Sequence, residues 1–312
     1  MSLPLTHPVV IKEILIGVSL CILIFGVVFV FPLLGVFALL FLPLPVLFYR
    51  LKLGRNSGGI VVAASLFVLL FMTRELGFDV LYFGSLLMTG FVLGECLERH
   101  FDIQKTMIAT CIAVAGATVA AFALYTMVQG QSMGTILSDY LGRYLGMSAE
   151  IYTEMGMEPG QIEQLNATFM VILPGMFLIS YLATIWMNVL IIRFLLGKKG
   201  ITLKSIEHLN QYRAPDFMVW PVIGLGLLLM VPAAPLKIVG INCLIVLMLV
   251  YFFQGIAVVS FFFQKKKTPT PLKIFCYSLI ALQLYVLILV IGLGFFDNWI
   301  NFRKLGHSDQ TN

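Results

Sequence analysis

Three carboxamides stand inside long apolar runs: Asn188, Asn242 and Gln283. Each carries donors and an acceptor that hydrocarbon leaves unsatisfied, so each needs a partner. The commoner solution is a hydrogen bond between helices. The sharper one is a polar patch on a ligand cavity, and Pro174–Gly175, within one of the same runs, implies a kink that would shape such a cavity.

The remaining ionisable residues gather in short clusters. Arg74 and Glu75, with Asp79 four residues after Glu75, suit a short turn held by local ion pairs, or a charged lip at a cavity mouth. Glu95, Glu98, Arg99 and Asp102 share one helix face, with Glu95 and Arg99 in the favourable i,i+4 order. That face fits a solvated helix end or a docking site for a partner protein. Arg193, near the end of an apolar run, is placed to snorkel to headgroups.

No reactive centre emerges. The chain has no HExxH, no phosphate-binding loop motif and no G-x-S-x-G. Its histidines (His7, His100, His208, His307) all lie outside the apolar runs, and its five cysteines form no CxxC pair. We therefore expect no enzyme activity, no metal and no cofactor.

The elements that hold these residues follow from composition. Of 312 residues 60% are hydrophobic and 11% charged, with a net charge of +5 and no basic stripe of the kind that nucleic acid would need. Continuous apolar runs indicate membrane helices and not an alternating β-barrel. Nine spans are expected, at Ile14–Phe31, Leu33–Tyr49, Ile60–Thr73, Phe78–Gly94, Thr106–Val128, Thr168–Leu196, Phe217–Val231, Ile238–Phe263 and Leu272–Phe296. The third and seventh are short, and either would reduce the count to eight if re-entrant. The expectation is one all-α integral membrane domain over residues 1–312, a polytopic transmembrane helix bundle in the lipid bilayer.

Lys and Arg concentrate at every second junction: Arg50, Lys52 and Arg55; Arg99 and Lys105; Lys198, Lys199, Lys204 and Arg213; Lys265, Lys266 and Lys267. Retention of positive charge inside then places the N-terminus in the cytoplasm of a cell with an inner membrane. Arg303 and Lys304 fit eight spans better than nine. The outer loop 129–166 is acidic and carries an amphipathic helix through Ile136, Leu137, Tyr140, Leu141, Tyr144 and Leu145. The inner linker 197–216 is polar and ends at Pro215.

Small residues mark packing seams. Gly90 and Gly94 form a GxxxG, and Ala113, Ala117 and Ala121 recur at every fourth position beside Gly116 and Ala120. Such faces let helices approach closely, within this chain by default or against another subunit.

Three passages together resemble a known family: Gly292-Leu-Gly294-Phe-Phe-Asp297-Asn-Trp299-Ile-Asn-Phe302-Arg303-Lys304, Tyr212-Arg213-Ala-Pro215-Asp216-Phe-Met-Val-Trp220, and Phe41-Leu-Pro43-Leu-Pro45-Val followed by Arg50 and Gly54. The chain is similar over nearly its whole length to the YybS-like predicted bacterial membrane proteins, a family of unknown function. The resemblance implies a helical layout similar to the substrate-binding subunits of energy-coupling-factor transporters, which dock on a membrane partner through small residues, commonly on their first helix. Here the first span offers Gly17 and Gly26, and the alanine repeat lies in the fifth.

At the family motif, Asp297 is suited to cap or pair, Trp299 to anchor at the membrane interface, and Arg303 and Lys304 to reach phosphates. Arg213 and Trp220 would anchor the seventh span in the same way. Two functions are expected. One is binding or transport of a small molecule with an energising membrane partner. The other is assembly of the cell envelope through helix–helix interfaces.

Overall fold

A computed structural model describes residues 7–74, 77–198, 206 and 209–303, with only the backbone of Pro32 and Leu33. Glu75, Lys199, Lys204, His208, Lys304 and His307 lie outside the described residues. Within them the helices are α1 Pro8–Val30, α2 Pro32–Leu39, α3 Pro43–Leu53, α4 Arg55–Thr73, α5 Phe78–Glu98, α6 Ile103–Gln129, α7 Met133–Glu154, α8 Pro159–Gly197, α9 Val219–Leu228, α10 Ala234–Lys265, α11 Thr270–Leu282 and α12 Leu284–Ile300. No strand occurs among the described residues. Seven stretches are long and apolar enough to cross a membrane, and α11 with α12 makes an eighth if the bent pair counts as one span. The architecture is an all-α polytopic membrane bundle.

Helix starts follow local chemistry. Pro8, Pro32, Pro43, Pro159 and Pro235 sit in the first turn of their helices, where the missing N–H costs no hydrogen bond. The second expected span is divided by this rule: Pro43 and Pro45 lack the N–H groups that a helix running on from Leu39 would need, so α2 stops and α3 begins anew.

Two spans differ from expectation. The seventh is only the 10-residue α9, about 15 Å long and too short to cross by itself. The ninth breaks at Gln283, where the chain turns by 102° between α11 and α12. No Pro or Gly sits at this break. Gln283 has an extended backbone, and its carbonyl accepts from Leu287 N–H as the new helix begins.

The chain divides into two compact units, Met1–Asn166 with Tyr181–Glu207, and Ala167–Ser180 with His208–Asn312. The core of the first centres on Phe25, Val46, Tyr49, Val61, Leu69, Phe83 and Leu87. Here the GxxxG face works within the chain. A Cβ at Gly90 would collide with the Pro43 carbonyl, and one at Gly94 with the Arg50 side chain, so α3 and α5 touch at these two glycines. In the second unit, Ala214, Val219 and Tyr251 form a core with Phe295 and Ile291 packed on it. A Cβ at Gly294 would collide with the Tyr251 carbonyl and one at Gly255 with the Val290 carbonyl, so α10 and α12 meet backbone to backbone in antiparallel register.

Candidate functional site

The most distinctive site is in the second unit, where a half-open cavity of about 630 Å³ is lined by Pro174, Leu178, Pro221, Gly224, Asn242 and Leu247, among others. Pro174 has no N–H for the helix ladder, which weakens α8 at that turn. One residue further on, Gly175 N–H donates to Asn242 Oδ1 at 2.6 Å, and Asn242 Nδ2 donates to Val171 O at 2.7 Å. Gly175 and Val171 are the i and i−4 groups that an undisturbed helix would pair. The carboxamide of α10 is thus spliced into the backbone of α8. Gly175 permits the approach, since a Cβ there would stand 3.1 Å from Asn242 Cα and 2.7 Å from Ile245 Cδ1. With Asn242 engaged in this way, the rest of the lining is aliphatic, proline or glycine, with Cys243 at the rim. The cavity therefore suits an apolar guest.

A second constellation joins the family motif to the linker. Asp297 and Arg303 form an ion pair at 2.7 Å, with side chains 1% and 0% exposed. Arg303 also donates to the carbonyls of Asn210 and Tyr212, both at 2.9 Å. Asp297 Oδ1 accepts the Phe302 N–H after Asn301, whose left-handed backbone (φ 47°) ends α12. Gln254, fully buried on α10, accepts Ala214 N–H at 2.9 Å and donates to Asp297 and Asn298. Its backbone-binding role holds a non-helical stretch inside the protein, where every polar group must be satisfied internally.

Arg303 is thus engaged within the protein, where the expectation had it reaching phosphates. It turns inward once the chain reverses at Asn301, and its two terminal nitrogens bond a carboxylate and two carbonyls. Asp297 both caps and pairs. Arg213 is half-buried, donating to Asp216 and to Asn298 O at 2.8 and 3.1 Å. Trp220 and Trp299 keep their rings exposed.

The three lone carboxamides are not brought together. Asn188 is fully buried in the first unit and donates to the Leu40 carbonyl at 2.8 Å, satisfying an orphan at the end of α2. Gln283 is exposed at the α11–α12 break. Gln254, a lone carboxamide in an apolar run with the same signal as Asn242, was missed by sequence reasoning.

Arg50 was also missed as more than a topology marker. It is completely buried, pairs with Glu95 and with Glu98 at 3.0 Å, and lies over the Phe91 ring at 4.3 Å. Gly58 and Gly94 clear its path. Glu95 accepts Arg99 as well, as the i,i+4 spacing implies. The alanine seam behaves differently from its default reading. Helix α6 packs through Met107, Thr110 and Val114, which leaves Ala113 and Ala117 exposed and Ala121 half-buried.

On the acidic loop, Tyr140 of α7 packs at a tilt against Phe78 and donates to Asp79 at 2.7 Å. Burial, then the bonds to Tyr144 and Asp79, raise its hydroxyl above the ordinary phenol range.

Apolar helices of spanning length, apolar side chains exposed along them, and polar groups paired inside define a multi-pass integral membrane protein. The chain belongs to the family described as "Predicted membrane protein (DUF2232)", which matches residues 19–298. No curated protein and no solved structure matches it.

Proposed function

We propose that this protein binds or carries a small, largely apolar molecule in the bilayer, using the cavity of its second unit and working with a membrane partner. The cavity of about 630 Å³ beside the Asn242–Gly175 splice carries this reading. Its volume falls in the range of small-molecule sites, and its lining favours a lipophilic guest over an ion or a sugar. The family resemblance supports the partner. We assign no catalytic role, since Asp297, Arg303, Arg50 and Glu95 are engaged in structural pairs. The basic junctions support an inner-membrane protein with a cytoplasmic N-terminus.

Native mass spectrometry of the detergent-purified protein tests the reading. Gly224 lines the cavity and a Cβ there meets nothing within 4 Å, so Gly224→Trp adds bulk at the cavity without a clash at its Cβ. Wild type should retain one more lipophilic adduct than Gly224→Trp, with both eluting as the same species. Equal retention by the two would sink the proposal.

The assembly reading has one observation of its own, the exposed face of α6 at Ala113, Gly116, Ala117 and Ala120. Stoichiometric co-purification of a second membrane protein, lost in Gly116→Leu, would support it. Co-purification unaffected by Gly116→Leu would count against it.

A further inference from the structure

From residue 217 to 296 the chain contains no Asp or Glu, yet it has Lys237, Lys265, Lys266, Lys267 and Lys273. The three consecutive lysines close α10 and are exposed, with Lys267 in the left-handed region (φ 48°), where the chain turns into α11. Tyr277 of α11 packs edge-on against Phe263, with ring centres 5.5 Å apart, which ties α11 to the lysine end of α10.

The orientation of α11 follows from its neighbours. Gly255 against Val290 and Gly294 against Tyr251 fix α10 and α12 as antiparallel, so the register brings Leu284 to the lysine end. Helix α12 exposes Leu284, Tyr285, Ile288 and Leu289, the surface of a helix in hydrocarbon. Helix α11 leaves it at 102°, so when α10 and α12 cross the bilayer, α11 runs along its surface. Leu272, Phe275, Leu279 and Leu282 are all exposed on α11, at the i, i+3, i+7, i+10 spacing of a single stripe. An in-plane helix with an apolar stripe and adjacent lysines is the arrangement that holds anionic lipid.

We propose that Lys265, Lys266, Lys267 and Lys273 with the apolar stripe of α11 form a binding surface for anionic phospholipid. The ammonium groups take the headgroup phosphate, and Leu272, Phe275, Leu279 and Leu282 lie against the acyl chains. The charge of the patch selects the occupant, since zwitterionic headgroups offer no net attraction. This surface is separate from the cavity of the second unit.

The test uses the full-length protein in nanodiscs of phosphatidylcholine containing phosphatidylglycerol, with retained lipids read by native mass spectrometry. Wild type should retain phosphatidylglycerol over phosphatidylcholine, and K265Q/K266Q/K267Q should lower that preference by roughly tenfold or more. Lys237→Gln, at the other end of α10, should leave it unchanged, as should Gly224→Trp. The proposal is overturned if the triple variant keeps the preference while eluting as wild type does. It is equally overturned if Lys237→Gln or Gly224→Trp abolishes the preference, or if inorganic phosphate displaces the retained lipid.

Discussion

Gly175 and Asn242 meet through a single 2.6 Å hydrogen bond in which a side-chain oxygen receives a backbone N–H from inside another helix. The bond exists because Pro174 loosens the ladder beside it and Gly175 has no Cβ to hold α10 away. The polar side chain nearest the cavity is thus occupied in holding the cavity wall.

Removing the carboxamide should be costly. Asn242→Leu removes the two hydrogen bonds that join α10 to α8, at about 0.5–1.5 kcal/mol each. Gly175→Ala should destabilise as well, by forcing α10 outward. Thermal unfolding of the detergent-solubilised variants checks both. Because both substitutions break one contact, the double variant should lose clearly less than the sum. Strict additivity would show that the splice is not a shared unit.

Asp297 and Arg303 should behave as a coupled buried pair. Removing either alone strands a charge, at about 3–5 kcal/mol. Asp297→Leu and Arg303→Met should each express poorly or unfold early. Asp297→Leu/Arg303→Met should recover part of that loss, measured as unfolding midpoints in a double-mutant cycle. A double variant as damaged as the two singles combined would contradict the pairing.

Gly294 and Gly292 make a controlled comparison on one helix. A Cβ at Gly294 collides with the Tyr251 carbonyl, whereas a Cβ at Gly292 meets nothing within 4 Å. Gly294→Ala should destabilise by about 1–3 kcal/mol as the helices are pushed apart. Gly292→Ala should be neutral or slightly stabilising, because alanine is the better helix former. Matching unfolding midpoints for the two variants would refute the close approach of α10 and α12.

Much of the fold was legible because hydropathy and proline geometry are local. The runs that become α4, α5, α6 and α10 appear in the sequence within five residues of their ends, whereas α1 begins six and α8 nine residues before its run. Pro174 and Gly175, which line the cavity, and the family motif at Asp297–Arg303 were visible too. The division at Leu40–Leu42 followed from Pro43 and Pro45, although the expected span ran through it.

The break at Gln283 was not legible, since no residue there is a helix breaker. Nor was the direction of the alanine seam: Ala113 and Ala117 look like packing residues, but α6 presents Val114 and Thr110 instead.

The sequence by itself determined that this is a multi-pass helical membrane protein, because transfer of an apolar run into lipid depends on the run and not on its neighbours. It also determined the family. Tertiary structure decided which polar groups serve which purpose. Arg50 reads as a surface charge until Glu95, Glu98 and Phe91 enclose it, and Asn242 reads as a cavity group until it meets Gly175. Both outcomes depend on contacts between residues far apart in the chain, here 45 for Arg50 with Glu95 and 67 for Gly175 with Asn242. The helix register that creates such contacts is set by the combined packing of whole helix faces, which no local pattern records.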